Sequence, residues 1–214
     1  MTYQLSTVRT RVQQKLDDTS FSTTTLNQFI NDAQRDILNS RRFGFMEAEA
    51  TVTTTSGSNA LTSVPTTLQT PLSLRVYTPI GNAIVLPYIE YEDIDVIVPN
   101  MSLVGNTAPV RWYVFARTPY VYPNSDATYT LKLRYIKSPT ELTSDSSVPE
   151  IPEDFGEILV LGALKRAHEF NDDNDKAQMV QIQIDGLIEK MDERYKRQAG
   201  SPHIMRLINR SRRL

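Results

Sequence analysis

Residues 148–170, VPEIPEDFGEILVLGALKRAHEF, constrain this chain more than any other stretch. Two prolines, Pro149 and Pro152, impose an extended approach, because each ring locks its own φ and biases the preceding residue away from the helical region. The helix admitted at Glu153 begins acid-rich, with Glu150, Glu153, Asp154 and Glu157 near the positive end of its dipole. It then runs Ile158, Leu159, Val160, Leu161, Ala163 and Leu164 almost without a polar break. A helix apolar on all sides is a buried one, so the remaining elements have to be arranged around it. Gly162 in its middle costs about 1 kcal/mol relative to alanine, which suits close approach by another backbone.

The flanking chain supplies the packing partners. Leu5, Val8, Val12 and Leu16 recur at helical spacing and predict a helix over 3–17. After a polar run rich in N-cap residues, Leu26, Phe29, Ile30, Ala33, Ile37 and Leu38 predict a second, more strongly amphipathic helix, and the two form a helical hairpin. Beyond 171–175, which breaks the central helix, Ala177, Val180, Ile184, Leu187, Ile188, Met191 and Tyr195 mark the buried stripe of a last long helix. On its outer face Asp192 and Glu193 stand four residues before Lys196 and Arg197. Gly200 and Pro202 stop it.

Between the two helical parts the period changes to two. Residues 47–54 alternate, 56–59 supply a turn and 60–63 return as a partner strand. Leu72, Leu74 and Val76 share one strand face, and Ile84, Leu86 and Tyr88 share the next, with a turn at 79–82 between them. Residues 88–98, carrying Glu90, Glu92, Asp93 and Asp95, read as a short acidic helix or turn, followed by a loop over 100–109. The clearest strands are 110–117 and 129–135, joined by a turn at 123–126, and 138–147 reads as a polar linker.

The fold class is therefore α+β: a helical bundle of two N-terminal and two C-terminal helices, an inserted mostly antiparallel β-sheet or small sandwich, and an extended C-terminal tail. The expected boundaries are 1–44 for the N-terminal helical hairpin, 45–147 for the β-rich insertion, 148–199 for the helices that complete the bundle, and 200–214 for a basic tail. At 214 residues and 40% hydrophobic, the chain is long enough to bury about 70% of its unfolded surface.

Chemistry is sparse. The chain has no cysteine and two histidines, His168 and His203, so thiolate metal sites and disulfides are excluded, and a histidine-assisted nucleophile would have to use His168, which has no G-x-S-x-G partner motif. Asn171, Asp172, Asp173, Asn174 and Asp175 have the composition of a calcium loop but lack its glycine and closing glutamate, and helix capping accounts for them. Glu47, Glu49 and the acids of 90–95 are of the type used for acid or base work, and equally of the type found on solvated faces. No catalytic residue, cofactor site or metal site is assigned. The start of the chain has no signal-peptide order, and the run 158–164 is too short to cross a bilayer.

The charge distribution is uneven. Net charge is −2, yet residues 200–214 hold four arginines and no acid, which leaves the rest of the chain near −6. In this tail Ile204, Met205, Leu207 and Ile208 are interleaved with Arg206, Arg210, Arg212 and Arg213. The pattern suits an anchor whose apolar residues fill a partner's groove while its arginines reach acidic groups. A tail folded back on its own domain, a disordered basic end and contact with nucleic acid phosphates are the alternatives.

The layout as a whole resembles the head-to-tail adaptor proteins of tailed bacteriophages, the connector or tubular tail gatekeeper group. It does so in element order over 3–199 and in the Pro-x-x-Pro-x-x-Phe run of Pro149, Pro152 and Phe155, followed by Gly162 and Ala163. The resemblance implies a structural protein without enzymatic activity or cofactor, a homo-oligomeric ring of twelve subunits below the portal protein, and a tail (nozzle or tube) protein beneath. DNA would pass through the channel without sequence-specific binding. The expected location is the virion's capsid–tail junction after assembly in the host cytoplasm, with no membrane involved. By position, Ile204, Met205, Arg206, Leu207, Ile208, Arg210, Arg212 and Arg213 would form the portal-docking interface. Ring closure also needs a subunit–subunit contact, for which Phe29, Ile37, Val180, Ile184, Met191 and Tyr195 are the candidates. A packaging or head-completion accessory that binds DNA through the Arg-rich tail is the competing reading. A hydrolase or metal enzyme comes after it.

Overall fold

The computed structural model describes residues 3–17, 20–77, 83–97 and 104–195. The chain divides into two compact units, one formed by the chain up to Phe45 together with the chain from Pro139 onward, the other by Met46–Ser138. Helices and antiparallel strands are both present, and the fold is α+β.

In the first unit, α1 (Leu5–Leu16) and α2 (Thr23–Ser40) precede the β-rich unit in sequence, and two further helices follow it. The predicted stripes are the buried ones: Leu5, Val8 and Val12 on α1, and Leu26, Ile30, Ala33, Ile37 and Leu38 on α2. Ser22 caps α2, its hydroxyl accepting the Thr25 N–H at 3.1 Å. After Pro152 a 3-10 turn, Glu153–Phe155, leads directly into the central helix, Gly156–Phe170.

The helix that follows, Asn174–Tyr195, packs antiparallel against the central one. The central helix touches α1, α2 and this last helix, and Ile158–Leu164 lies in the interior throughout. Burying each of its large apolar side chains is worth about 1.5–3 kcal/mol, against a few tenths for a surface ion pair. Apolar packing of this helix therefore dominates the unit. The anticipated pairs of Asp192 and Glu193 reach residues outside those described, while Arg194 pairs with Asp154 at 2.8 Å.

The polar linker is tied to α2 over 139–147 by buried amides. Asn31 donates to the Leu142 carbonyl (3.1 Å) and accepts the Leu142 N–H (2.8 Å), and Gln34 donates to the Thr140 carbonyl (2.9 Å). Gln34 also accepts the Glu150 N–H at 3.2 Å, and the Ser147 carbonyl accepts the Leu5 N–H at 2.9 Å. Polarity at positions 31 and 34 of an otherwise apolar face is thus used to satisfy an irregular segment.

The second unit holds strands β1 (Glu47–Thr54), β2 (Leu61–Thr62), β3 (Leu68–Tyr77) and β4 (Ala83–Leu86), then helix α3 (Tyr91–Ile97), then β5 (Arg111–Phe115), β6 (Thr118–Tyr122) and β7 (Thr130–Lys137). In chain order the central helix is α4 and the last helix α5. Five strands form an antiparallel sheet in the order β2-β1-β7-β3-β4, and β5-β6 is a separate hairpin. Its core gathers Val52, Leu74, Leu131 and Leu133 from the sheet with Trp112 and Val121 from the hairpin. β7 is central, with Leu131, Leu133 and Tyr135 inward and Lys132 and Arg134 outward, the alternation expected of a one-sided strand. Residues 88–98, read as a short acidic helix or turn, contain α3.

Two strand assignments change. The segment 110–117 is not one strand running to a turn at 123–126. It reverses at Ala116 and Arg117, with φ of 48° and 66°, so that Phe115 pairs with Thr118 and β6 returns along β5. Both central residues of this two-residue turn have φ > 0, which normally selects Asn or Gly, so alanine and arginine hide the turn. Tyr88 is also not on β4. It lies beyond Leu86 in a parallel bridge with Trp112, where Pro87 and Ile89 exchange backbone hydrogen bonds with Trp112.

Candidate interface surfaces

Several of the acids singled out in the sequence are engaged in pairs. Arg134 bonds Glu47 at 2.9 Å and Lys132 reaches Glu49 at 3.7 Å, both diagonal across the β1–β7 ladder. Lys176 bonds Asp173 at 2.6 Å, and chiefly through that hydrogen bond the Asp173 carboxyl is held below its ordinary value. Asn171 and Asp172 close α4, Asp172 in the left-handed region at φ 57°. His168, half-buried in the last turn, takes part through its carbonyl, which accepts the N–H groups of Asn171 and Asp173. Among the described residues no group of three histidine, cysteine, aspartate or glutamate side chains is arranged to hold a metal ion. No helix among them is long and apolar enough to cross a membrane.

The residues expected to dock the portal, Ile204, Met205, Arg206, Leu207, Ile208, Arg210, Arg212 and Arg213, lie outside the described residues. Of those expected between subunits, Ile37, Val180, Ile184 and Met191 are buried within the helical unit. Tyr195 is half-buried, edge-on to Phe45 and Phe155 with ring centroids 5.5 and 6.0 Å away. Phe29 is half-buried in an aromatic trio with Phe21 and Phe170, with centroid separations of 5.6–5.9 Å.

The apolar side chains left in solvent are others. In the helical unit Phe170, Met179 and Ile182 are 65%, 67% and 74% exposed. Met179 and Ile182 fall off the buried stripe of α5, two residues after Ala177 and two before Ile184, and this displacement is the signal in the sequence that marks them. Ile182 borders an open groove of about 390 Å³ over α4, between α1 and α5, whose floor is Leu161 and whose sides include Leu187, Gly186, Lys15, Glu157 and Lys190. Lys15 and Arg11 both pair with Glu157, at 2.5 and 3.7 Å, whereas Lys190 has no ion-pair partner among the described residues. The groove is therefore apolar at its base, with the Lys15–Glu157 pair and Lys190 at its rim.

In the β-rich unit, Ile84 and Val85 of the edge strand β4 are both more than half exposed although they point to opposite faces. A shallow depression of about 400 Å³ is lined by Tyr88, Ile89, Val96, Glu90, Asp93 and Arg111. Tyr88 donates to Glu90 at 2.9 Å, and burial, followed by this bond, holds its hydroxyl above the ordinary value. These surfaces have the exposed apolar character of contact sites rather than the convergent polar groups of a reactive one.

Comparison with known proteins gives one assignment. A family model described as SU10 adaptor protein matches residues 1–206, which spans the α1–α2 hairpin, the β-rich unit and the α4–α5 pair. No curated protein matches the chain. Because the matched region covers nearly all of the sequence, including the two-proline approach and α4, this chain belongs to the SU10 adaptor protein family, in agreement with the phage head-to-tail adaptor resemblance of its element order.

Proposed function

We propose that this protein is a structural head-to-tail adaptor that forms a ring, of twelve copies, below the portal of a tailed phage and joins capsid to tail at the virion vertex. The observation that carries the reading is the family match over 1–206. The segment 200–214 docks on the portal, with Ile204, Met205, Leu207 and Ile208 filling apolar grooves and the arginines meeting acidic groups. A tail (nozzle or tube) protein is bound below, and DNA passes through the central channel. The acidic balance of residues 1–199 favours passage without adhesion, since like charges repel the phosphate backbone. The role is one of assembly and conduction, without catalysis.

The test is the mass of the complex formed with the cognate portal ring, comparing the full chain with a chain stopped after Ala199. A fixed ring added by the full chain and none by the shortened chain is the expected result. Binding by both moves the docking site to the helices. Retention of DNA by the full chain without portal binding overturns the reading and leaves the packaging-accessory alternative, whose DNA affinity would fall steeply with salt.

A further inference from the structure

The β-rich unit is layered. Leu74 and Val76 of β3 and Leu131 and Leu133 of β7 turn inward to meet Trp112 and Val121 of the β5–β6 hairpin. Tyr113 of the same hairpin turns the other way, into a second cluster with Ile94 of α3, joined by Tyr120. The outer face of the sheet and the outer face of α3 are therefore opposite surfaces of one unit. Between Leu74 and Val76, Arg75 points outward, directly opposite Lys132 on β7 and Val85 on β4. Like charges facing one another across a ladder cost stability. Glu49 offsets Lys132 and Glu47 offsets Arg134, but Arg75 has no ion-pair partner among the described residues, and its buried Nε has no hydrogen-bond partner. Val85 beside it is 56% exposed. On α3, Ile94 faces the hairpin, and Glu92 and Val96, two residues to either side, face away, since two residues turn a helix through about 200°. Glu92 is exposed without an ion-pair partner among the described residues, and Val96 is 81% exposed. Arg111, which lines the depression with Asp93 and Val96, pairs with none of Glu90, Glu92 and Asp93.

We infer that Glu92 of one copy meets Arg75 of the next, with Val96 laid against Val85. Sign and spacing both match. Glu92 and Val96, four residues apart on a helix, have β-carbons about 5–6 Å apart, and Arg75 and Val85, opposite one another on paired strands, have theirs about 4.5–5.5 Å apart. A single copy cannot bring α3 to its own Arg75, because the hairpin and the sheet lie between them, whereas a neighbouring copy can. The contact joins two different faces, as closure of a ring requires. A protein carboxylate suits Arg75 better than a DNA phosphate does, because Lys132 and Arg134 are already offset and the remaining cation stands beside an exposed apolar side chain rather than on a cationic track. The inference rests on the ring proposed above and specifies which surfaces close it.

Charge reversal tests the contact between copies. Arg75→Glu and Glu92→Arg each set like charges across every interface of a ring. The double variant restores an opposite pair at every interface, and so does an equimolar mixture of the two single variants, by alternating copies around a ring of even number. Both side chains lie outside the two apolar clusters, so the far-ultraviolet circular dichroism of every variant is expected to match that of the natural chain. On the cognate portal ring, followed by the mass of the complex, each single variant is expected to need at least about tenfold more protein than the natural chain for half-maximal assembly. The double variant and the mixture are expected to recover it. Single variants that assemble as the natural chain does, or failure of either the double variant or the mixture to recover, would overturn the inference. Loss of DNA retention in Arg75→Glu with assembly unchanged would also overturn it and assign Arg75 to phosphates. Failure of the unmodified chain to assemble on the portal at all would instead remove the ring reading itself.

Discussion

Gly162 on α4 lies so close to Ala33 on α2 that a β-carbon at position 162 would come within 2.8 Å of the Ala33 methyl carbon and 3.3 Å of Ile37 Cδ1. The glycine that looked costly in an apolar helix is the site where two helices meet nearly backbone to backbone. Gly162→Ala sets a gain of about 1 kcal/mol in helix propensity against overpacking of about 1–3 kcal/mol. Because the obstructing atom is another β-carbon on a rigid helix, overpacking wins. We expect a net loss of up to about 2 kcal/mol in urea unfolding, restored in part by adding Ala33→Gly. A double variant no more stable than Gly162→Ala alone would show that the helices do not meet there.

Asn31 closes hydrogen bonds with both backbone groups of Leu142, 111 residues away. Asn31→Ala would strip a buried N–H and C=O of their partners, a loss of about 2–3 kcal/mol. Hydrogen exchange is the more specific reading: the Leu142 amide should exchange faster while amides within α5 stay protected.

At the β5–β6 turn, Ala116 and Arg117 occupy the left-handed region at a cost of roughly 1 kcal/mol each. Replacing the pair by Asn-Gly supplies residues that adopt this conformation readily. A stabilisation of about 1 kcal/mol is predicted, seen as a higher denaturant midpoint at unchanged slope, and a lower midpoint would contradict the turn geometry.

The Asp173–Lys176 pair gives a pH prediction. Its hydrogen bond depresses the Asp173 carboxyl below the ordinary 3.8, so its contribution is present above that value and is lost as pH falls through the depressed one. Melting temperatures of the natural chain and Asp173→Asn should differ by a constant amount above about pH 5 and converge toward about pH 2. The effect is small, since the pair is at the surface, and a difference that grows on acidification would refute it.

Short-range pattern alone determined a good deal of this protein. Apolar spacing of three and four placed α1, α2 and α5, a nearly unbroken apolar run placed α4, alternation placed β1 and β7, and the prolines at 149 and 152 placed the start of the central helix. Element order was enough to suggest the adaptor resemblance that the family match supports. These features are legible because each is written in residues a few positions apart, where one helical turn or one strand pleat sets the period.

Tertiary structure decided the rest. The reversal at Ala116 and Arg117 has no glycine to announce it, because the packing of Trp112 and Val121 on the sheet holds the hairpin closed despite the turn residues. The anchoring of 139–147 depends on Asn31 and Gln34 meeting backbone groups more than 100 residues away, and no local period encodes such a meeting. The same holds for surface against core on α5. Val180, Ile184 and Met191 share the side that α4 covers, while Ile182, equally apolar and only two residues from Ile184, faces water because a helix turns through about 200° in two residues and α4 covers one side only.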